Sequence, residues 1–532
     1  MRIGRQKVNV VVLEELFGPV KSKTKGWHFS KHLLFWGAIA SSLWSVYFAV
    51  VTISIPYQIE FREGAAQVMT EFLLHRNNPF RLENQPLAMN NYGLGYNLVV
   101  VPFAALFGNT LTVHRWVTFV FIILSALTGF IVVYKIRREI PSAFACAAFI
   151  LIGLMARGGI GAFPSAMGTF LFMVAILVPF LRDFDPVSLI VSILFSVAAF
   201  YSKAYFVLGF GIVASYLFLF ISRKKGLLYG VLFLSLFAIS LFAARLAFPL
   251  YFINTVMGNI SNTERSSTHL FSQLTQLLFY FFPVLLSALL LLAVEREGSR
   301  NRAIPAFDIG PGKQPLINAA PDYLLYSSLC TFMAFMLFLG PHIGNYLSYA
   351  YQLVIPVFFC WFFLRFEPRR KTGFLITIAI LFNLFFWEGN TLSPQMLEQK
   401  DSREWASLYA YVRSSSNILN SPVVTSAVIE LGLNPLDSGQ TSYFFAVQPY
   451  PNFTILGPFY DVFQADGFRY VKFIDNAIQK QKFDLVLTTR EKSTFYHAKL
   501  IEKFYSPVDE IKVDMPQTGQ QWTILLWKPL VK

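Results

Sequence analysis

Glu60 and Glu63 stand in the run Tyr57-Gln58-Ile59-Glu60-Phe61-Arg62-Glu63-Gly64-Ala65-Ala66, just past the first long apolar segment of the chain. Three positions apart, they share one face if the run is helical. A carboxylate so placed can take a proton from an acceptor hydroxyl or hold a divalent metal. It can equally be an acidic turn at a helix start, where acids suit the helix dipole. Further on, Phe200-Tyr201-Ser202-Lys203-Ala204-Tyr205 sets one lysine at the tip of a tight turn between two apolar runs. Such a lysine either holds an anion or extends its ammonium to water along an apolar stem. A third polar stretch, Gly340-Pro341-His342-Ile343-Gly344-Asn345-Tyr346-Leu347, reads as a helix cap or as a binding segment. Arg157, Arg245 and Arg265 are further cations near such turns. His75, His114 and His269 show no ligand-like spacing, so no metal is assigned.

The elements that must carry these residues are membrane helices. Of 532 residues, 55% are hydrophobic, 14% are charged and 57 are phenylalanine. A water-soluble fold that apolar has too little polar surface to cover itself. Apolar runs long enough for spans recur along the chain, at roughly 33–54, 114–134, 142–156, 166–181, 187–201, 204–222, 227–246, 273–293, 323–340, 350–364 and 372–388. Glu63–Leu74 and Tyr92–Phe107 are shorter and suit helices lying in or near the interface, and Val8–Val20 suits a surface segment. The three cysteines fall within apolar runs, so no disulfide framework or paired-cysteine metal site arises.

The net charge of +14 orients the protein and does not call for nucleic acid. With eleven spans and the N-terminus inside, 22 Lys and Arg fall on the cytoplasmic side and 8 in the short outer loops. The reading divides the chain into a cytoplasmic segment 1–32, an all-α transmembrane domain 33–388 with its first outer loop at 55–113, and a small extracytoplasmic α/β domain 389–532. In the last, Pro422–Thr425, Phe483–Leu487 and Gln521–Trp527 read as strands, and Phe468–Gln481 and Ser493–Phe504 as helices.

One ordered set of features follows the first span: an early acid, a helix ending in Asn77-Asn78-Pro79-Phe80, and the step Met89-Asn90-Asn91-Tyr92-Gly93-Leu94-Gly95-Tyr96. After it come an apolar helix closing on Leu106-Phe107-Gly108, and His114-Arg115-Trp116 opening the next span. This order resembles the GT-C superfamily of membrane glycosyltransferases, which use polyprenyl-phosphate sugars. The superfamily includes protein O-mannosyltransferases, the aminoarabinose transferases of lipid A, and envelope arabinosyl- and mannosyltransferases. The likeness is strongest over residues 33–225, loosens through 388 and is architectural beyond. It implies that Glu63 fills the second place of the family's early acidic pair and is the base, with Glu60 as substitute or helper. Arg62 fills the first place, which is a departure. Ala156–Pro164 carries no acid where many relatives place one, which argues against a two-carboxylate metal site. By the same resemblance Lys203 and Arg157, with His342, Asn345 and Tyr346, hold the donor phosphate, and Arg62, Asn91 and Tyr92 contact substrate.

The resemblance therefore implies an inverting glycosyltransferase, hexosyl or pentosyl, in a prokaryotic cytoplasmic membrane. It would move a sugar from a polyprenyl-phosphate donor to an envelope glycan, lipid or protein at the outer face, with the bilayer as its surroundings and no certain cofactor. The rival enzyme is a polysaccharide polymerase or O-antigen ligase, which typically carries its large loop late in the chain. The non-enzymatic rivals are a transporter or lipid-handling protein, for which internal repeats and midplane charges are the expected marks, and an inactive scaffold.

Overall fold

Each of the eleven apolar runs becomes a helix in the computed structural model. The structure describes residues 25–84, 87, 92–155, 159–257, 265–298, 322–342, 348–365, 370–391, 402–436, 458–490, 498–515 and 520–530. The expected surface segment Val8–Val20 lies outside them.

The order begins with α1 (Lys25–Ile53), α2 (Glu63–Leu74), α3 (Gly95–Phe107), α4 (Leu111–Arg137), α5 (Ile140–Met155), α6 (Ser165–Leu181) and α7 (Pro186–Phe200). Then come α8 (Leu208–Tyr216), flanked by a 3-10 turn at Ala204–Val207 and a wide turn at Leu217–Ile221, and α9 (Arg223–Ala247), α10 (Ser267–Gly298), α11 (Tyr323–Ala334), α12 (Ser348–Arg365) and α13 (Arg370–Thr391). Five stretches are long and apolar enough to cross a bilayer by themselves: Phe29–Ile53, Leu111–Arg137, Ala204–Ile221, Arg223–Ala247 and Ser267–Leu289. The chain is a multi-pass membrane protein. At about 1.5 Å per residue the thirteen residues of α3 reach only ~20 Å, short of a ~30 Å hydrocarbon core.

Lipid explains the surface. Trp36, Leu43, Leu106, Phe242, Leu246 and Phe271 are all largely exposed, which water would penalise and acyl chains do not. Inside, α4 packs on α5, α5 on α1 and α12, and α6 on α7. Gly129 of α4 allows one of these close approaches, since a β-carbon there would meet Ile150 Cδ1 at 2.3 Å.

The C-terminal part holds α14 (Arg403–Arg413), β1 (Ile418–Leu419), α15 (Thr425–Glu430), α16 (Pro458–Gln479), β2 (Leu485–Thr489), α17 (Ala498–Phe504), β3 (Tyr505–Met515) and β4 (Gln520–Pro529). The sheet order is β1-β2-β4-β3, with β1 and β2 parallel and the other pairs antiparallel. Alternation gives it two apolar faces. Leu419, Val486 and Tyr505 pack with Ile474, Ile478 and Ile501 of α16 and α17. Ile418, Leu485, Leu487, Ile511, Val513, Trp522, Ile524 and Leu526 join the core that is continuous with the membrane helices.

Two expectations need correcting here. Pro422–Thr425 is not a strand: Pro422–Val424 is a 3-10 turn that leads into α15, with proline at its first position, where its missing N–H costs nothing. The strand lies just before it, at Ile418–Leu419. Glu60 and Glu63 also do not share a helix face, because α2 begins at Glu63 and Glu60 lies in the turn before it. Of the expected helix Ser493–Phe504, the part within the described residues is Ala498–Phe504.

Candidate functional site

The turn between α1 and α2 is held by one arginine. Arg115, in the first turns of α4, is fully buried and donates through Nη1 to the carbonyls of Thr52 (3.3 Å) and Ile55 (2.6 Å), and through Nη2 to that of Tyr57 (2.7 Å). These carbonyls close and follow the C-terminus of α1, where a cation is favourable. The same guanidinium grips Glu63 in a two-point pair, Nε to Oε1 at 2.9 Å and Nη2 to Oε2 at 2.7 Å. Glu63 also accepts from the backbone N–H of Ile59 (2.8 Å) and of Ala162 (3.0 Å). Four donors thus meet its two oxygens at zero exposure.

Gln58 ties the same turn to the C-terminal part. Its Nε2 donates to the carbonyls of Glu60, Phe61 and Pro422, and its Oε1 accepts from Ser426 N at 2.9 Å. Tyr57 stacks on Trp405 and Phe61 on Trp522, with centroids 5.4 and 5.3 Å apart. The small residues after Glu63 serve this contact: a β-carbon on Gly64 would lie 2.5 Å from Thr425 Cβ.

Glu60 sits differently. It is fully buried and accepts from the backbone N and the Nε of Arg62, both at 2.6 Å. Burial raises its carboxyl above the ordinary range, and the Arg62 charge and hydrogen bonds oppose that rise. Arg62 lies against the rings of Phe61 and Phe163, 5.3 and 5.7 Å from their centroids, and its Nη1 donates to the Tyr92 hydroxyl at 3.1 Å. Its side chain keeps 20% exposure.

Tyr92 joins Arg62 to Lys203. The Lys203 ammonium lies 4.5 Å from the Tyr92 ring centroid, 5.1 Å from that of Tyr349 and 5.9 Å from that of Tyr205. Three π faces hold a cation that is 8% exposed. Burial first, and the Arg62 charge second, push its pKa down to about 7, with Glu60 acting in the opposite sense. Tyr205 is oriented by a 2.6 Å hydrogen bond from its hydroxyl to Gln352 Oε1.

The loop bearing Tyr92 is attached to the turn bearing Lys203 through the backbone. Gly93 N donates to Ser202 O at 2.9 Å and Gly95 N to Tyr201 O at 2.7 Å. A β-carbon on Gly93 would come within 1.9 Å of Tyr201 O, so this approach requires glycine.

Of the residues marked from sequence, Glu60, Arg62, Tyr92 and Lys203 are brought together, and Glu63 lies behind them on Arg115. His342 makes a backbone bridge with Arg265, and Tyr349, seven residues on, reaches Lys203. Asn91, Arg157, Asn345 and Tyr346 lie outside the described residues. Sequence reasoning missed Arg115 as the partner of Glu63, Tyr205 and Tyr349 as walls for Lys203, and Gln58 as the tie to residues 422–426. Arg115 was visible as a charge opening a span after a loop with four acids, which asks for a pairing. Among the described residues, no group of three or more His, Cys, Asp or Glu side chains is placed to hold a metal ion.

The fold is similar to that of solved membrane-protein structures. The crystal structure of ArnT from Cupriavidus metallidurans bound to undecaprenyl phosphate superposes at TM-score 0.58 with 10% identity, over 92% of this chain and 97% of that one. The apo structure of the same protein gives TM-score 0.58 and 11% identity, over 92% and 98%. No protein-family model and no curated protein matches the chain. The likeness is one of fold, and it is in keeping with the architecture that the sequence resemblance implied.

Proposed function

We propose that the protein transfers a sugar from a polyprenyl-phosphate donor to a hydroxyl of an envelope glycan, lipid or protein, at the face of the membrane where its C-terminal part sits. The observation that carries this reading is the meeting of two cations, Lys203 and Arg62, with the buried carboxylate Glu60 around Tyr92, in a fold shared with a structure that holds undecaprenyl phosphate.

Each group fits a role. A phosphate leaving group is already a stable anion, so its departure needs positive charge and no proton. Lys203 and Arg62 supply that charge from a site with little water, where a fixed charge acts more strongly than in solution. Glu60 takes the acceptor O–H proton, and burial above the ordinary carboxyl range favours that transfer. The acceptor oxygen bonds to the anomeric carbon, the carbon–oxygen bond to phosphate breaks, and polyprenyl phosphate leaves with the electron pair. Attack from the side opposite the phosphate inverts the configuration.

Glu63, already met by four donors, sets the height of the turn that presents Glu60. In this reading Tyr92 and Asn91 take part in substrate binding, and Arg157, His342, Asn345 and Tyr346 in binding the donor phosphate. In the same reading, residues 1–32 are cytoplasmic, 33–388 form the catalytic membrane domain, and 389–532 lie outside a prokaryotic inner membrane and bear on the acceptor.

The test is sugar transfer by purified protein in liposomes with a panel of polyprenyl-phosphate sugars, comparing wild type with Glu60→Gln and Glu63→Gln. The expected result is one donor consumed, with a rate loss on the order of a hundredfold for Glu60→Gln. Wild-type protein that consumes no donor would overturn the reading. Vesicle uptake of a lipid-linked sugar without transfer would put a transporter in its place.

A further inference from the structure

Arg62 is bound to the group that must act as base, and it stands beside the cation that must receive the donor. Its Nε holds Glu60 at 2.6 Å while its Nη1 reaches the Tyr92 hydroxyl, on whose ring Lys203 lies. A buried carboxylate paired with a guanidinium at that distance is a weaker base than the same carboxylate alone, because the pair stabilises its ionised form. Lys203 faces rings and, among the described residues, makes no ion pair. Glu63 adds no free charge here, because Arg115 neutralises it. Two cations therefore share one carboxylate, and with Lys203 protonated the pocket carries an excess of positive charge. A bound phosphate supplies the missing anion, and a planar guanidinium is suited to phosphate.

Resting on the donor reading above, we propose that the donor phosphate draws the Arg62 guanidinium away from Glu60, so that the base is released only when the donor is seated. The move is short. Arg62 lies along the faces of Phe61 and Phe163, which let a guanidinium slide without losing its stacking. Glu60 keeps its bond from the Arg62 backbone N, so its carboxylate stays in place when the side chain leaves. A buried carboxylate stripped of its cation is a stronger base than the paired one. The exchange thus ties proton abstraction to donor occupancy and leaves the empty enzyme with a quiet carboxylate.

Competition for one guanidinium has a signature that simple charge repulsion lacks. Binding of undecaprenyl phosphate, without sugar, is measured on detergent-solubilised full-length wild type, Glu60→Gln, Arg62→Gln and the double variant. The expected result is that Glu60→Gln tightens binding about fivefold or more when Arg62 is present, and less than twofold in the Arg62→Gln background. If Glu60→Gln tightens binding as much or more without Arg62, Glu60 only repels the phosphate and the exchange is wrong. An unchanged affinity in Glu60→Gln overturns it as well. A wild type that binds no polyprenyl phosphate removes the donor reading and the exchange with it.

A second measurement needs no variant. The groups facing Glu60 are Arg62, Glu63 and Lys203. The acid limb of kcat/KM reports the free enzyme and that of kcat the donor complex. The exchange places the kcat limb at higher pH, because Glu60 has lost its cation there. Coincident limbs overturn the proposal.

Discussion

Two carboxylates three residues apart have opposite surroundings. Glu63 is saturated, with four donors on two oxygens and a guanidinium that also ties three carbonyls of the α1 end. Among the described residues the Glu60 carboxylate is hydrogen-bonded by one residue, Arg62, which is itself shared with Tyr92 and partly exposed. A group that is fully satisfied by its own protein can hold shape but has nothing left for a substrate. A group held by one movable partner can change state. The difference separates the part of the loop that fixes geometry from the part that can react.

The comparison breaks first on stability. Arg115→Met leaves the Glu63 carboxylate buried without its cation and removes the guanidinium donors to three carbonyls, so a loss of about 3–5 kcal/mol is expected. Thermal unfolding in detergent reads it, and a melting temperature equal to wild type would show that Glu63 is not structurally held. The second break is kinetic. Glu60→Gln keeps shape and volume, so the rate is expected to fall on the order of a hundredfold while the melting temperature stays within a few degrees. Equal effects of Glu60→Gln and Glu63→Gln on both readouts would erase the distinction.

A third prediction uses Lys203. An anion binds the protonated amine, so binding raises the Lys203 pKa and affinity is lost as pH rises. With the free-site pKa near 7, affinity for polyprenyl phosphate should fall toward about tenfold per pH unit above that value. Lys203→Arg stays charged throughout and should flatten the profile. A wild-type profile flat from pH 6.5 to 8.5 would remove Lys203 from the anion site. The smallest effect is expected at Gln58. Gln58→Ala removes a side-chain donor from three carbonyls and the acceptor of the Ser426 N–H and should cost about 1–3 kcal/mol, with a modest loss in rate. Addition of Gln58→Ala to Glu60→Gln should lower stability and leave the residual rate almost unchanged.

Much of this was legible in the sequence. Hydropathy located every helix of the membrane part, because a run that must satisfy its backbone inside lipid has one common solution. Residue type and spacing brought forward Glu60, Glu63 and Lys203, and the family resemblance added Arg62 and Tyr92. Their division of labour was not legible. The spacing of the two acids suggests one helix face, but α2 starts at Glu63, and partners 52 residues away decide which acid is saturated. The aromatic seat of Lys203 joins residues 92, 203, 205 and 349, a grouping that no local pattern announces. In the C-terminal part, β3 alternates through Ile511, Val513 and Met515, but Pro507 and the irregularity before Asp509 hide where the strand begins.

The Gln58 tie has a consequence for how the chain is made. Pro422 and Ser426, which complete the turn holding Glu60, lie 364 and 368 residues beyond Gln58. At about 5–20 residues per second, the ribosome needs roughly 20–70 s to supply them. For that interval α1 and α4 can be in the membrane, with Glu63 on Arg115, while the turn between them still lacks its other wall. The sheet face carrying Trp522, Ile524 and Leu526 meets the same delay in reverse, since it must find a helical bundle inserted well before it was synthesised. Insertion of the early helices and completion of the site are therefore separate events in the life of the chain, and a ribosome stalled before residue 422 would carry a membrane protein whose reactive turn is unfinished.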